Sequence, residues 1–93
     1  MNNSPVFQLP EVLTHDQAAA VAAQVCQLVR TQPKLQIDAS GLNQFDSSAL
    51  AVLLAGLREA AQQQHVLQVT GLPAKALALA RVYGLQDLLH LQS

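Results

Sequence analysis

The sequence predicts an α/β domain, a mostly parallel sheet of four to five strands with helices packed on it. Segments with apolar residues at helical spacing alternate with short runs rich in valine, leucine and isoleucine. Prolines and glycines stand at the junctions between them. Strands separated by whole helices cannot be joined as hairpins, so the connections are crossovers and the strands parallel.

The first element, "PVFQLP" (residues 5–10), reads as a short strand, and a proline at each end assigns it to a sheet edge. Next, "THDQAAAVAAQVCQLVRTQ" (14–32) opens on Thr14 with Gln17 three residues later, the spacing of a capping box. Ala18, Val21, Ala22, Val25, Leu28 and Val29 then fall on one helical face. Pro33 ends that helix. "KLQID" (34–38) alternates as a strand and finishes at Asp38, and "ASGLNQF" (39–45) reads as a loop.

A second helix is predicted from about Ser47 to Gln64, with Leu50, Leu53, Leu54, Leu57 and Ala61 facing the core. Its outward positions are then Ser48, Ala51, Val52 and Ala55, a small apolar surface on which charge first appears at Arg58 and Glu59. "HVLQVTG" (65–71) gives another strand. "LPAKALALARVYG" (72–84) gives a third helix, with Pro73 near its first turn and Gly84 as its stop. "LQDLLHLQS" (85–93) fits neither pattern clearly.

Ninety-three residues accommodate one hydrophobic core, so residues 1–93 are read as a single domain. With 51% apolar and only 12% charged residues, the composition argues against a disordered chain. The longest apolar stretch, Ala49 to Leu57, is interrupted by Gly56 and falls well short of the roughly 20 residues of a membrane span, which excludes direct membrane insertion. "MNNSPVFQLP" lacks the basic and apolar regions of a secretory signal, and the single cysteine, Cys26, allows no internal disulfide. A reducing, cytoplasmic location is expected.

The net charge is −1, and the cations Arg30, Lys34, Arg58, Lys75 and Arg81 are dispersed, which disfavours nucleic acid as a partner. His15, His65 and His90 stand apart from one another, and no motif joins any of them to a nucleophile or carboxylate pair. They read as solvated or capping residues, and neither catalysis nor metal binding is expected. Cys26 reads as a small, semi-buried hydrophobe and Tyr83 as a core residue. The sequence has no glycine-rich phosphate loop, so no nucleotide or other cofactor is assigned to the chain itself.

The stretch "FDSSAL" (45–50) concentrates Asp46, Ser47 and Ser48 immediately before the second helix. Asp and Ser cap helices by accepting hydrogen bonds from the unpaired amides of the first turn, which accounts for one of the three. A hydroxyl at a helix start also tolerates a phosphate, because the free amides and the positive end of the macrodipole lie there. Phosphorylation would therefore change the surface without unfolding the helix. Together with the small apolar face of the helix, the cluster reads as a cap and as a docking point.

The stretch "LQIDASGLNQFDSSALAVLLAGLREAAQQQHVLQVTGLP" (35–73) resembles the heart of a STAS domain, the family named for sulfate transporters and anti-sigma factor antagonists. The likeness lies in a strand ending in Asp, a short loop, an Asp-Ser-Ser motif, a leucine-rich helix and a following strand, and it extends over about residues 12–91. It implies a STAS-like fold. It also implies a non-catalytic subunit that docks on the ATPase of an Mla-type phospholipid ABC transporter, which maintains outer-membrane lipid asymmetry, and that is peripheral to the inner membrane through this partner. The end of the chain, "LPAKALALARVYGLQDLL" (72–89), is similar to this MlaB-like branch. The antagonist branch is the alternative, with Ser47 as phosphate acceptor and an anti-sigma factor kinase as partner, and "DSSAL" (46–50) is closer to that branch. On either reading the partner-binding residues are Asp46, Ser47, Ser48, Ala51, Val52, Ala55 and Arg58. Family members commonly carry two N-terminal strands and a Gly-x-x-Asp turn before the first helix, and this chain lacks the glycine.

Overall fold

A computed structural model describes residues 5–84. The stretch 85–93, which includes His90, lies outside the described residues. The elements run β1 (Val6–Gln8), β2 (Val12–Leu13), α1 (His15–Thr31), β3 (Lys34–Asp38), β4 (Gln44–Phe45), α2 (Ser47–Gln63), β5 (Val66–Thr70) and α3 (Ala74–Val82). Among the described residues every strand pairing is parallel, as the crossovers require. Among the described residues, five strands divide into a three-stranded sheet ordered β1-β3-β5 and a separate two-stranded pair, β2-β4.

The register of the larger sheet sets Val6 opposite Gln36 and Gln36 opposite Gln68. β1 lies at the edge of this sheet, the position that the flanking Pro5 and Pro10 predict. Side chains alternate sharply. Leu35, Ile37, Leu67 and Val69 are buried, whereas Lys34, Val66, Gln68 and Thr70 are exposed, so apolar side chains cover one side of the sheet and leave the other open.

Over the covered side, Val21, Val25 and Val29 of α1 meet Ala49, Leu50, Val52, Leu53, Gly56 and Ala60 of α2 in one buried core with the sheet. The start of α1 is fixed as its spacing predicts: the Thr14 amide donates to Gln17 Oε1 at 2.9 Å, and the Thr14 hydroxyl donates to the same oxygen, also at 2.9 Å. The far end of α2 is fixed twice. Gln64 caps it in the left-handed region at φ 58°, and the ring Nδ1 of His65 lies 2.7 Å from the Val29 carbonyl of α1, so this histidine caps as expected. Nearby, Arg30 pairs with Glu59 at 3.2 Å and ties the same two helices together.

Several side chains depart from the sequence reading. Val52, expected on the outer face, is 1% exposed, whereas Leu54 is half-buried and Ala61 exposed, although both were expected in the core. The reason is that α2 packs against α1 as well as the sheet, so its buried arc turns toward the small residues Ala49, Gly56 and Ala60. Tyr83, expected in the core, is 56% exposed, because it lies at the C-cap of α3 beyond the last turn that packs. Cys26 is half-buried, and its thiol donates to the Ala55 carbonyl at 3.6 Å across the helix pair. Burial pushes that thiol's pKa up, so the chain's one cysteine is poorly suited to act as a thiolate.

Candidate functional site

The approach to α2 is built by the pairing of β2 with β4, which brings Val12 opposite Gln44 and Leu13 opposite Phe45. Backbone bonds from the amides of Asn43 and Gln44 to the Glu11 carbonyl hold the incoming chain. Phe45 packs on the core, and Asp46 follows in extended conformation at φ −130°, the geometry of an N-cap.

Asp46 is the cap. Its Oδ1 accepts the Ser48 amide at 2.8 Å, and this bond is the chief reason its carboxyl titrates below the usual carboxylate range. His15, the exposed first residue of α1, adds a weaker pull, with its Nδ1 4.0 Å from Asp46 Oδ2 and its Nε2 3.2 Å from Asp16. Among the described residues the hydroxyl of Ser47 has no hydrogen-bond partner, and the residue is exposed. Three hydrophilic residues therefore divide their roles: Asp46 accepts, Ser48 donates its amide, and Ser47 faces solvent.

From Ser47 an outer flank runs along α2 through Ala51 and Leu54 to Arg58, positions that stack on one helical face. Ser47, Ala51 and Arg58 are exposed, and Leu54 is half-buried without joining the core cluster. Ser48 and Ala55 are half-buried at the edges of this flank. Of the seven residues expected from the sequence, Val52 lies in the core, Asp46 is the cap before the helix, and the other five lie on or beside this flank, where Leu54 also falls. Helical periodicity could have shown Leu54 on this face, since it sits three residues from Ala51 and four from Arg58.

The cap makes a testable statement about pH. A carboxylate held by an amide only in the folded state has a lowered folded pKa, so it adds stability above its unfolded pKa, and that stability is lost as pH falls through the folded value. Asp38, which accepts the Ser40 amide at 2.9 Å, and Glu59, which bonds Gln63 and Arg30, act in the same direction. Asp46→Ala is expected to lower the thermal midpoint at neutral pH. The gap from the parent protein should close in acid, once both states bind the proton. Melting curves across an acid titration test this, and a gap independent of pH would contradict the cap's electrostatic role.

A family model described as "Mlab, STAS domain" matches residues 2–91. The chain belongs to this MlaB-type STAS family. No curated protein sequence matches it. Among the described residues, no helix is long and apolar enough to cross a membrane.

Proposed function

We propose that this protein is a non-catalytic subunit that docks on, and stabilises, the ATPase of an Mla-type phospholipid ABC transporter, with the start and outer flank of α2 as its contact surface. The observation that carries the reading is the exposed row Ser47, Ala51 and Arg58 with Leu54 among them, a helix face of small and apolar side chains that ends in one cation. Such a face lets a second helix approach closely while Arg58 sets its register. ATP binding belongs to the partner, and contact with the inner membrane is made only through it. Copurification from native membranes should recover an ATPase and a permease with this chain, and recovery of neither would sink the reading.

The exposed Ser47 hydroxyl supports a second reading, an anti-sigma factor antagonist switched by phosphate at that residue. The half-buried Leu54 favours the first, since a permanent contact gains from an apolar anchor. Intact-mass measurement of protein from its native host separates the two. The transporter reading expects the unmodified mass, and the antagonist reading expects a phosphorylated fraction at Ser47.

A further inference from the structure

The larger sheet turns its buried side chains toward the helices, and its other side carries Lys34, Gln36 and Asp38 on the central strand between Val6 on β1 and Val66 on β5. A parallel sheet is ordinarily covered on both faces. Here every outward residue of β1 and β5 is exposed, and Val6 and Val66 are two of the four large apolar side chains that the described residues leave in water. The central strand bears a charge at each end. Lys34 opens β3 and Asp38 closes it, about 13 Å apart along an extended chain, too far for an ion pair within one copy. Among the described residues neither has an ion-pair partner. Hydrogen bonds from Ser40 hold the Asp38 carboxyl below the usual carboxylate range, so it is charged at neutral pH.

We propose that this face is a self-association surface, on which a second copy of the chain stacks with its β3 antiparallel and each Lys34 meets Asp38 of the other copy. The charges select the orientation. A two-fold axis that lies between the sheets and crosses β3 at Gln36 exchanges the two ends of the strand, which forms two Lys34–Asp38 pairs and sets Gln36 over its own counterpart. An axis running along β3 would instead set lysine over lysine and aspartate over aspartate. Register adds an apolar contact, since Val6 lies level with Gln36 and so meets Val6 of the second copy on the same axis. Stacked sheets lie about 10 Å apart, a gap that a lysine and an aspartate side chain span together. Three short strands offer far less than the roughly 1,600 Å² of a standard interface, so the dimer is weak and reversible. Helix α2 packs on the other side of the sheet, so both copies keep its outer flank free, and the inference does not depend on the docking reading.

Sedimentation velocity of the purified full chain, followed up to about 1 mM and from low to high salt, tests this. The parent should shift from monomer toward dimer as concentration rises, and added salt should weaken the shift. Lys34→Glu and Asp38→Lys should each weaken dimerisation tenfold or more, because each sets like charges opposite one another at both junctions. An equimolar mixture of these two variants should recover the dimer, since one junction then joins the two substituted side chains and the other the two unchanged ones. Gln36→Lys sets like charges on the axis without touching the Ser40 turn, and it should weaken dimerisation as well. Circular dichroism matching the parent confirms that each variant folds. A parent that stays monomeric throughout leaves the face to solvent or to other parts of the chain and overturns the proposal. A dimer that persists unchanged in Lys34→Glu and Gln36→Lys, or that the mixture of two folded variants fails to restore, overturns it equally.

Discussion

Gly56→Leu is expected to destabilise the protein by about 3 kcal/mol, the upper part of the range for overpacking a tight core. Gly56 lies where α2 crosses α1 over the sheet, and a Cβ at this position would sit 2.7 Å from Val25 Cγ1 and 3.0 Å from Leu67 Cδ2. Neither neighbour has room to yield, since Val25 is fully buried and β-branched and Leu67 is 4% exposed. A glycine inside a helix costs about 0.5–1 kcal/mol relative to alanine, so Gly56→Ala offsets part of its clash with better helix propensity. Leucine adds three further carbons to the same space with no comparable return. For a domain whose whole stability is about 5–15 kcal/mol, this is a large share. Urea unfolding should show a lower midpoint for Gly56→Leu, with Gly56→Ala between it and the parent. An unchanged midpoint for the leucine variant would mean that the helices do not approach as closely as described.

Ala51→Arg is expected to weaken binding to the transporter ATPase at least a hundredfold, about 2.7 kcal/mol, while leaving the fold intact. Ala51 is exposed on the outer flank, and arginine is nearly as good a helix former as alanine, so the unbound protein has little reason to change. In a complex the guanidinium would be taken from water into a contact shaped for a methyl group, without a prepared partner for its charge. Circular dichroism and thermal melting should match the parent, and calorimetric titration with the ATPase should register the loss. Unaltered affinity in a properly folded variant would remove the outer flank from the contact. Because Ala51 is exposed and outside the buried core cluster, this experiment isolates docking from stability, which Gly56→Leu cannot do.

The order of helices and core strands was legible because each is long enough for its period to repeat. Strand β3 begins and ends at the residues read from "KLQID", and α2 ends within one residue of its predicted limit. Strands β2 and β4 have two residues each, too few for alternation to show, and they emerge only through their pairing with one another. At the candidate site, Asp46 was legible as a cap from its chemistry and position alone. The roles of Val52 and Leu54 were exchanged for a different reason. Hydropathy assigns the bulkier leucines to the interior, but α2 has a second helix to accommodate, and close approach there selects small side chains at Ala49, Gly56 and Ala60. What the pattern lacked was the direction of α1, a contact between segments remote in sequence.

The double fastening at the far end of α2 has a consequence for how a partner would be received. His65 bonds the Val29 carbonyl and Arg30 pairs with Glu59, so the two long helices are joined side by side near this end. Side chains carried on helices that are already joined lose less freedom on binding than those of a segment that must first be ordered.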